Sequence, residues 1–280
     1  MTADTTTDLY CVMGNPIAHS RSPWIHARFA QLTQQALRYE ARLVPLDGLA
    51  QALTDFAAAG GRGCNITVPF KLQAAELAHT RSERVQLAGA ANTLAWDGEG
   101  RIHADNTDGL GLVADITQGA GRAIAGASVL LIGAGGAAAG ALAPLLEQRP
   151  TLITVANRTL ERAQALVERH AALAATHQVP LLAAAPATLS DSFDIVINAS
   201  ASSLAGDAAP VPDCVLRPGS LAYDMMYGPA AQGFLQWAHR HGAQGRDGLG
   251  MLVEQAAEAF ALWRGVRPPT AGVLAALRQP

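Results

Sequence analysis

The chain has 280 residues, half of them hydrophobic and 15% charged, which predicts about two folded domains and argues against a disordered protein. A formal net charge of −3 argues against the basic surface of a typical nucleic-acid-binding protein. The three cysteines lie far apart, so we expect reduced, mostly buried thiols rather than a disulfide framework or a cysteine zinc site.

The first eight residues contain neither a basic nor an apolar segment, so they do not match a secretory signal. We expect them to form a short disordered leader. The longest apolar runs, such as Ser128–Ile132, end at glycine far short of a membrane-spanning length. By elimination, the sequence predicts a cytoplasmic protein with no membrane partner.

Short β-like runs alternate with helical patterns through the first half of the chain. The predicted elements are a strand at Leu9–Met13, a helix opened by an N-cap at Ser22 and by Pro23, a strand at Tyr39–Val44, a helix at Leu49–Ala58, and strands at Gly63–Thr67, Leu94–Trp96 and Ile102–Ala104. We expect the turn Asp97-Gly98-Glu99-Gly100 to join the last two strands. This alternation favours a largely parallel sheet covered by helices.

Strands and helices alternate again beyond Asp108, and one strand runs directly into a glycine-rich turn. The predicted elements are helices at Leu110–Thr117 and Ala137–Leu146, strands at Ser128–Ile132, Leu152–Ala156, Asp194–Asn198 and Leu221–Met225, and terminal helices at Met251–Trp263 and Thr270–Leu277. Alanine-rich patches such as Ala183–Ala187 obscure the element boundaries.

The sequence Gly133-Ala134-Gly135-Gly136-Ala137-Ala138 matches the dinucleotide-binding fingerprint between a predicted strand and a predicted helix. Its glycines let the backbone turn sharply and approach a pyrophosphate, and the helix start offers free N–H groups and a positive dipole. A structural turn is the alternative, which the flanking strand and helix disfavour. We therefore predict that Gly133, Ala134, Gly135, Gly136 and Ala137 bind a dinucleotide.

The next strand ends at Asn157-Arg158-Thr159, where an NAD site usually carries an acid for the ribose 2′-hydroxyl. Arg158, together with Arg162 one helical turn later, suits a 2′-phosphate instead, so the predicted cofactor is NADP. The alternative is that both arginines are solvated surface charges, and pairing with Glu161 would weaken the inference.

The first half of the chain contains more clustered polar residues than a packed core needs. Each cluster lies at or just past the end of a predicted strand. The clusters are Gly14–Pro23, Asn65–Lys71, and Gly89–Thr93 with Asp105–Gly109. Ligands collect at such ends in open α/β sheets. Hydroxyls, amides, an ammonium and a carboxylate together suit a polyhydroxylated acid.

With these motifs in view, the chain resembles the shikimate dehydrogenase family over essentially its whole length. The motifs that carry the resemblance are Ser20-x-Ser22-Pro23, Asn65-x-Thr67-x-Pro69-x-Lys71, Asn92-Thr93, Asp105-Asn106-Thr107-Asp108-Gly109, Gly133–Gly136, Asn157-Arg158-Thr159, Tyr223–Tyr227 and Asp247–Ala256. Their joint occurrence in this order is highly specific. The chain departs from the family pattern at Gln232-Gly233-Phe234-Leu235, which lacks a common threonine, and at Ser200-Ala201, where Thr-Ser is more usual.

The resemblance implies an α/β protein with an N-terminal α/β substrate domain, whose sheet is mainly parallel, and a doubly wound Rossmann domain for NADP, with a cleft between them. The substrate domain would span residues 1–108, completed by C-terminal helices in 248–280, and the NADP domain residues 109–247. The implied activity is the reversible reduction of 3-dehydroshikimate to shikimate, in chorismate and aromatic amino acid biosynthesis. A homodimer is left open.

The resemblance also implies roles for single residues. Ser20 and Ser22 would bind the substrate carboxylate, with Tyr227 nearby. Contacts to the ring hydroxyls or to the reacting carbonyl are implied for Asn65, Thr67, Lys71, Asn92, Asp108 and Gln255. Gly248 would lie near the nicotinamide. The other cofactor-binding residues would include Met225, Asn157, Arg158, Thr159 and Arg162.

Reduction of a ketone by hydride leaves negative charge on oxygen, which has to be stabilised and protonated. The eight histidines form no cluster of zinc ligands, so we expect no metal. The Lys71 ammonium is the predicted charge-stabilising group and proton donor. Asp108 is predicted to orient Lys71, or to cap the following helix. Whether Lys71 or Asp108 moves the proton stays open.

Three alternatives are weighed against this interpretation. A quinate/shikimate dehydrogenase that uses NAD would carry an acid in the Asn157-Arg158-Thr159 segment. Rossmann reductases of the methylenetetrahydrofolate dehydrogenase or glutamyl-tRNA reductase kind lack the paired serines together with the Asn-x-Thr-x-Pro-x-Lys run. A non-catalytic NADP-binding regulatory protein would be favoured by loss of Lys71 or Asp108, and both are present.

Overall fold

The structure, a computed structural model, describes residues 7–200, 202 and 209–279. Two compact units make up the chain: Met1–Thr107 with Val253–Pro280, and Asp108–Leu252. The predicted leader lies outside the described residues apart from Thr7 and Asp8, and Asp8 begins the first strand. No described helix combines the length and the apolar character needed to cross a membrane.

The described elements alternate along the chain as the sequence predicts. The strands are β1 (Asp8–Gly14), β2 (Leu37–Leu43), β3 (Gly61–Ile66), β4 (Thr80–Arg81), β5 (Thr93–Trp96), β6 (Ile102–Asp105), β7 (Ser128–Ile132), β8 (Leu152–Ala156), β9 (Leu181–Ala184), β10 (Ile195–Asn198), β11 (Leu221–Asp224) and β12 (Gln244–Arg246). The helices are α1 (Ser22–Thr33), α2 (Leu49–Ala58), α3 (Lys71–Leu77), α4 (Glu83–Ala88), α5 (Asp108–Ala114), α6 (Gly136–Glu147), α7 (Leu160–His177), α8 (Gln232–Arg240), α9 (Leu249–Arg264) and α10 (Ala271–Leu277). Helix α5 continues into a π-helical turn at Asp115–Gly119.

The first unit contains a six-stranded sheet in the order β2-β1-β3-β5-β6-β4. Strand β5 is antiparallel to both of its neighbours, and the other pairs are parallel. The reversal follows from the predicted turn, in which the Asp97 side chain accepts hydrogen bonds from the N–H groups of Glu99 and Arg101. The sheet is thus mainly parallel, as predicted, with β5 as its antiparallel strand, because a short turn can join only antiparallel neighbours.

The second unit contains a fully parallel six-stranded sheet in the order β12-β11-β10-β7-β8-β9. Numbered from β7, this is the doubly wound order 3-2-1-4-5-6, in which the chain direction across the sheet reverses between β7 and β10. The predicted Rossmann fold is confirmed. Ligands of such sheets bind at the carboxyl ends of the strands beside this reversal.

The start of α1 differs from the prediction. Arg21, not Ser22, occupies the N-cap position, and the Arg21 carbonyl accepts a hydrogen bond from the Ile25 N–H at 3.1 Å. Ser22 is thus already helical, and its N–H donates to the Ser20 hydroxyl at 3.3 Å. Pro23 tolerates the second helical position because the first N–H groups of a helix have no partner within the helix. The predicted serine N-cap is wrong.

One face of the first sheet buries a cluster of aromatic rings around His26, which is fully buried. The imidazole stacks on the ring of Tyr39, with centroids 4.1 Å apart and planes 4° from parallel. Phe29 and Phe260 pack against other parts of the same imidazole. Neither ring nitrogen makes a well-formed hydrogen bond to a described residue. Burial lowers the pKa of His26 to about 3, and the neighbouring Asn65 side chain offsets this only in part.

His26 should make the free energy of unfolding depend on pH. Because its pKa is lower in the folded state than in the unfolded state, the unfolded chain takes up the proton first. Stability should therefore fall as the pH drops from about 6.5 towards 3, and by roughly 2 kcal/mol between pH 7 and pH 5.

Urea unfolding at a series of pH values measures this slope. The variant His26→Phe keeps a planar ring and should flatten the slope, whereas His239→Gln, at an exposed histidine, should leave it unchanged. Equal slopes in the wild type and in His26→Phe would contradict the assignment.

Candidate functional site

The carboxyl ends of β1 and β3 approach each other closely. The Thr67 N–H donates to the Met13 carbonyl and the Asn15 N–H donates to the Val68 carbonyl, both at 3.0 Å. A Cβ at Gly14 would overlap the Thr67 side chain, so only glycine allows this approach. The loop after β3 is thereby held against β1, and it leads directly into α3 at Lys71.

Asn65, the penultimate residue of β3, is buried, and its amide makes three defined hydrogen bonds. Its Oδ1 accepts from the Tyr39 hydroxyl at 2.7 Å. Its Nδ2 donates to the Asn92 carbonyl and to the Thr93 hydroxyl oxygen, both at 3.1 Å. The orientation of the amide follows from these partners, because a carbonyl oxygen can only accept a hydrogen bond.

Asn92 links three elements of the first unit. Its Oδ1 accepts from the Thr107 N–H at 2.8 Å and from the Thr93 hydroxyl at 2.9 Å. Its Nδ2 donates to Thr107 Oγ1 at 3.0 Å and to Gln255 Oε1 at 3.2 Å. Gln255 lies in α9, so a residue far along the chain joins the network formed at the ends of β3, β5 and β6.

Asp105 secures the segment that leads to Asp108. Its buried carboxylate accepts hydrogen bonds from both ends of the Arg84 guanidinium fork, at 3.2 and 2.7 Å. The Ser82 hydroxyl and the Asn106 N–H donate to the same carboxylate at 2.7 Å. This saturated ion pair fixes the backbone from which Thr107 and Asp108 follow.

The two predicted carboxylate-binding serines lie at the start of α1. Ser22 is buried and Ser20 is half-buried in the turn before the helix, where its N–H donates to the Ile17 carbonyl at 3.0 Å. Thr67 and Lys71 follow β3, and Lys71 is half-buried. These positions all follow the carboxyl ends of β1 and β3, where the sequence predicts a ligand.

In the second unit, β7 runs through Gly133 into α6, as the fingerprint predicts. Gly133 has φ +108°, and its Cβ position lies 3.1 Å from the Ala199 backbone, so this turn requires glycine. Among the described residues, no atom outside the turn and its own helix lies within 4 Å of a Cβ placed at Gly135 or Gly136. The space above these two exposed glycines is therefore open, beside the half-buried Ala134 and Ala137.

The start of α6 suits an anion. Gly135 at its N-cap has no side chain to cap it, and its first turn contains no acidic residue. The free N–H groups and the positive end of the helix dipole face the open space at the carboxyl end of β7, beside the reversal of the sheet. A pyrophosphate fits this combination of glycines, dipole and strand end.

Arg158 and Arg162 are both exposed, directly after β8 and in the first turn of α7. The Asn157 side chain is turned inward to the Thr159 carbonyl, to which it donates at 2.8 Å. Among the described residues, no carboxylate pairs with either guanidinium, and Glu161 is not a partner of either. The two charges are thus available to an anionic ligand.

Gly248 allows a close backbone approach at the predicted nicotinamide side. A Cβ there would overlap the Met225 carbonyl oxygen, and the Gly248 N–H donates to the Met226 carbonyl at 2.8 Å. Asp115, which the sequence analysis did not identify, lies below this loop. It pairs with both ends of the Arg246 guanidinium, at 2.8 and 2.5 Å, and accepts from the Tyr223 hydroxyl at 2.8 Å.

The structure brings Asn65, Asn92 and Gln255 into one hydrogen-bonded network, which also includes Thr93, Thr107 and Tyr39. The roles of Asp108 and Tyr227, which belong to the second unit, stay predictions. Tyr39 was not among the residues predicted from the sequence. The available signal was a phenol in a strand with charged residues on both sides.

Family models match three parts of the chain. They are described as the shikimate dehydrogenase substrate binding domain, at residues 12–94, shikimate / quinate 5-dehydrogenase, at 115–205, and the shikimate 5′-dehydrogenase C-terminal domain, at 248–278. The chain is 75% identical to a shikimate dehydrogenase (NADP(+)) of Acidovorax ebreus (strain TPSY), covering 97% of this chain and 96% of the relative. It is 68% identical to the enzyme of that name from Paracidovorax citrulli, covering 99% of both.

Two solved structures resemble the chain over nearly its full length. An Ael1 enzyme from Pseudomonas putida gives a TM-score of 0.91 at 46% identity, covering 98% of this chain and 99% of its own. Shikimate 5-dehydrogenase from Thermus thermophilus, solved in complex with NADP(H) and shikimate, gives 0.84 at 32% identity, covering 97% and 98%.

Two glycines of the fingerprint should respond differently to substitution. Gly135→Ala should leave thermal stability unchanged and weaken NADP binding, because the added methyl enters open space where a phosphate would lie. Gly133→Ala should instead lower the unfolding temperature, because the residue has φ +108° and contacts the Ala199 backbone. Thermal unfolding and NADP titration of both variants test this, and tight NADP binding by Gly135→Ala would exclude the pyrophosphate from this turn.

Proposed function

The chain belongs to the shikimate dehydrogenase family, and from that premise we propose how its residues carry out the reaction. It is an NADP-dependent oxidoreductase that interconverts 3-dehydroshikimate and shikimate, a step of chorismate and aromatic amino acid biosynthesis. The observation that carries the residue assignments is the buried amide network at the ends of β3, β5 and β6. A cytoplasmic location accords with this biosynthetic role.

We propose that the first unit binds the substrate. The Asn65 and Asn92 amides, the Thr67 hydroxyl and the Gln255 side chain supply hydrogen bonds to the ring hydroxyls. Ser20 and Ser22 receive the carboxylate with two hydroxyl donors, which suit an anion without burying a permanent positive charge, and Tyr227 supports them. The network supports this proposal because its members are oriented before a ligand arrives.

Lys71 is proposed to stabilise the alkoxide and to give it a proton. It is the only lysine in the chain, and the other 19 of the 20 lysine and arginine residues are arginines. Arginine does not release its proton near neutral pH, and a lysine ammonium can do so in a suitable site. A lysine at this position therefore suits a proton donor.

Asp108 is proposed to accept a hydrogen bond from a substrate hydroxyl and to support the positive charge of Lys71. It is buried in the first turn of α5, where the helix dipole favours a carboxylate. The Arg84–Asp105 ion pair fixes the backbone just before it. This anchoring supports a carboxylate that has to act from a fixed position.

The second unit is proposed to hold NADP. The open space at Gly135 and Gly136 and the uncapped start of α6 fit the pyrophosphate. Arg158 and Arg162 fit the 2′-phosphate, and Met225 and Gly248 border the nicotinamide. When bound, the cofactor supplies the hydride.

Use of NAD is the alternative that the comparisons raise. Shikimate 5-dehydrogenase from Listeria monocytogenes, 26% identical to this chain, was solved in complex with shikimate and NAD. In this chain, two exposed guanidinium groups, which have no carboxylate partner among the described residues, lie where an NAD site usually places an acid. This favours NADP.

Removal of the Lys71 ammonium should slow turnover without unfolding the protein. Lys71→Ala and Asp108→Asn should each lower kcat by roughly 10²–10⁴-fold, the usual contribution of a positioned acid–base group. Lys71→Arg keeps the charge but not the transferable proton, so it should stay nearly as slow as Lys71→Ala. Steady-state kinetics and thermal unfolding measure both effects, and near-normal turnover in Lys71→Arg would show that charge alone suffices.

Arg158 should carry much of the cofactor preference. Arg158→Ala should raise the KM for NADP by about 10–150-fold, the worth of one charge-assisted hydrogen bond, and leave the KM for NAD almost unchanged. Arg169→Ala, at an exposed position two turns further along α7 than Arg162, is the matched control. Equal losses with both cofactors would mean that Arg158 supports the adenine or the fold instead.

A further inference from the structure

We propose that Tyr39 is a positioning residue that holds the Asn65 amide so that it offers a substrate hydroxyl an acceptor and no donor. The proposal deepens the proposed function and rests on it, because Asn65 is one of the substrate-binding residues assigned above. It also explains why a phenol is buried in β2 beside the histidine.

The two Asn65 amide hydrogens are already committed. One points at the Asn92 carbonyl and the other at Thr93 Oγ1, both at 3.1 Å. Thr93 Oγ1 can accept the second because its own hydrogen is directed to Asn92 Oδ1 at 2.9 Å. What remains to Asn65 is Oδ1, which accepts from the Tyr39 hydroxyl and lies near the buried His26 side chain. A carbonyl oxygen has two lone pairs, so Oδ1 can still accept a hydrogen bond from a ligand hydroxyl.

Burial and stacking also confine the Tyr39 ring. Tyr39 is the only residue of β2 that is buried, and the fully buried His26 ring lies flat against it at 4.1 Å. Since the stack confines the ring, the hydroxyl stays directed at Asn65. Without that hydroxyl, Asn65 Oδ1 would lose the donor that Tyr39 supplies, and the amide would gain by rotating its N–H groups.

Tyr10 provides a matched control. It lies opposite Tyr39 in the β1–β2 ladder, is similarly buried, and stacks on Trp263 with centroids 4.8 Å apart. Its hydroxyl accepts from Arg264 at 3.4 Å and is not among the partners of Asn65. Loss of the Tyr10 hydroxyl therefore removes a buried phenol oxygen without touching the amide.

The test is a double-mutant cycle with steady-state kinetics. Tyr39→Phe should raise the KM for shikimate about tenfold, leave the KM for NADP within about twofold, and change kcat less than KM. Tyr10→Phe should leave the KM for shikimate within about twofold. In an Asn65→Ala background, Tyr39→Phe should lose most of its effect, because its action runs chiefly through the missing amide and only its contact with Ser22 remains.

Two results would overturn the proposal: an unchanged KM in folded Tyr39→Phe, or the same factor with and without Asn65. A purely structural role would lower stability and affect both substrates equally. If the wild type failed to oxidise shikimate with NADP, the proposed function would fall first, so the two failures are distinguishable.

A second measurement does not depend on the folding of Tyr39→Phe and compares the wild type with Asn65→Ala. Shikimate analogues with one ring hydroxyl at a time replaced by fluorine, which cannot donate, should include one that binds at least several-fold more weakly. That loss should disappear in Asn65→Ala. If no analogue shows a loss that depends on Asn65, the amide does not act as an acceptor and the proposal is wrong.

Discussion

Polar side chains are buried at the carboxyl ends of β3 and β6 and at the amino end of the antiparallel β5. They have to find hydrogen-bond partners, since each group left without one costs roughly 1–3 kcal/mol. Asn65, Asn92 and Thr107 meet this requirement largely through one another, and Gln255 joins them from α9. Folding therefore orients the amides that the substrate is proposed to meet. Because the partners come from separate elements, the network also ties the C-terminal helices to the first sheet.

In the second unit, the close approach of backbone segments shapes the candidate cofactor site. Gly133 lets β7 turn into α6, and Gly248 lets the chain pass against the Met225 carbonyl, where any side chain would overlap. The buried Asp115 carboxylate, bonded to Arg246 in β12 and Tyr223 in β11, holds the strands beside the Gly248 loop. Open space for a cofactor and rigid walls around it thus come from the same set of small residues and one saturated ion pair.

The short elements were not predicted from the sequence because their residues have little local preference for helix or strand. Strand β12 is Gln244-Gly245-Arg246, and it is a strand only because its backbone pairs with β11. Strand β4 has two exposed residues, and α3 and α4 are too short to show a helical period. Ser22 was misplaced for a related reason: serine before proline suits an N-cap, but tertiary packing decides where the first helical bond forms.

The sequence by itself determined the fold class, most of the strands, the dinucleotide turn at Gly133–Gly136 and the family, because glycine spacing, apolar periodicity and motif order are local properties of a chain. It set no bounds for α7, the longest helix. It also identified Asn65, Asn92 and Gln255 as candidates. Only the tertiary structure decided that Asn92 and Gln255 share a hydrogen bond across 163 positions, and that Tyr39 faces Asn65. Such pairings depend on strand order and on which faces of the strands become buried. Neither can be deduced from the residues adjacent to one position in the sequence.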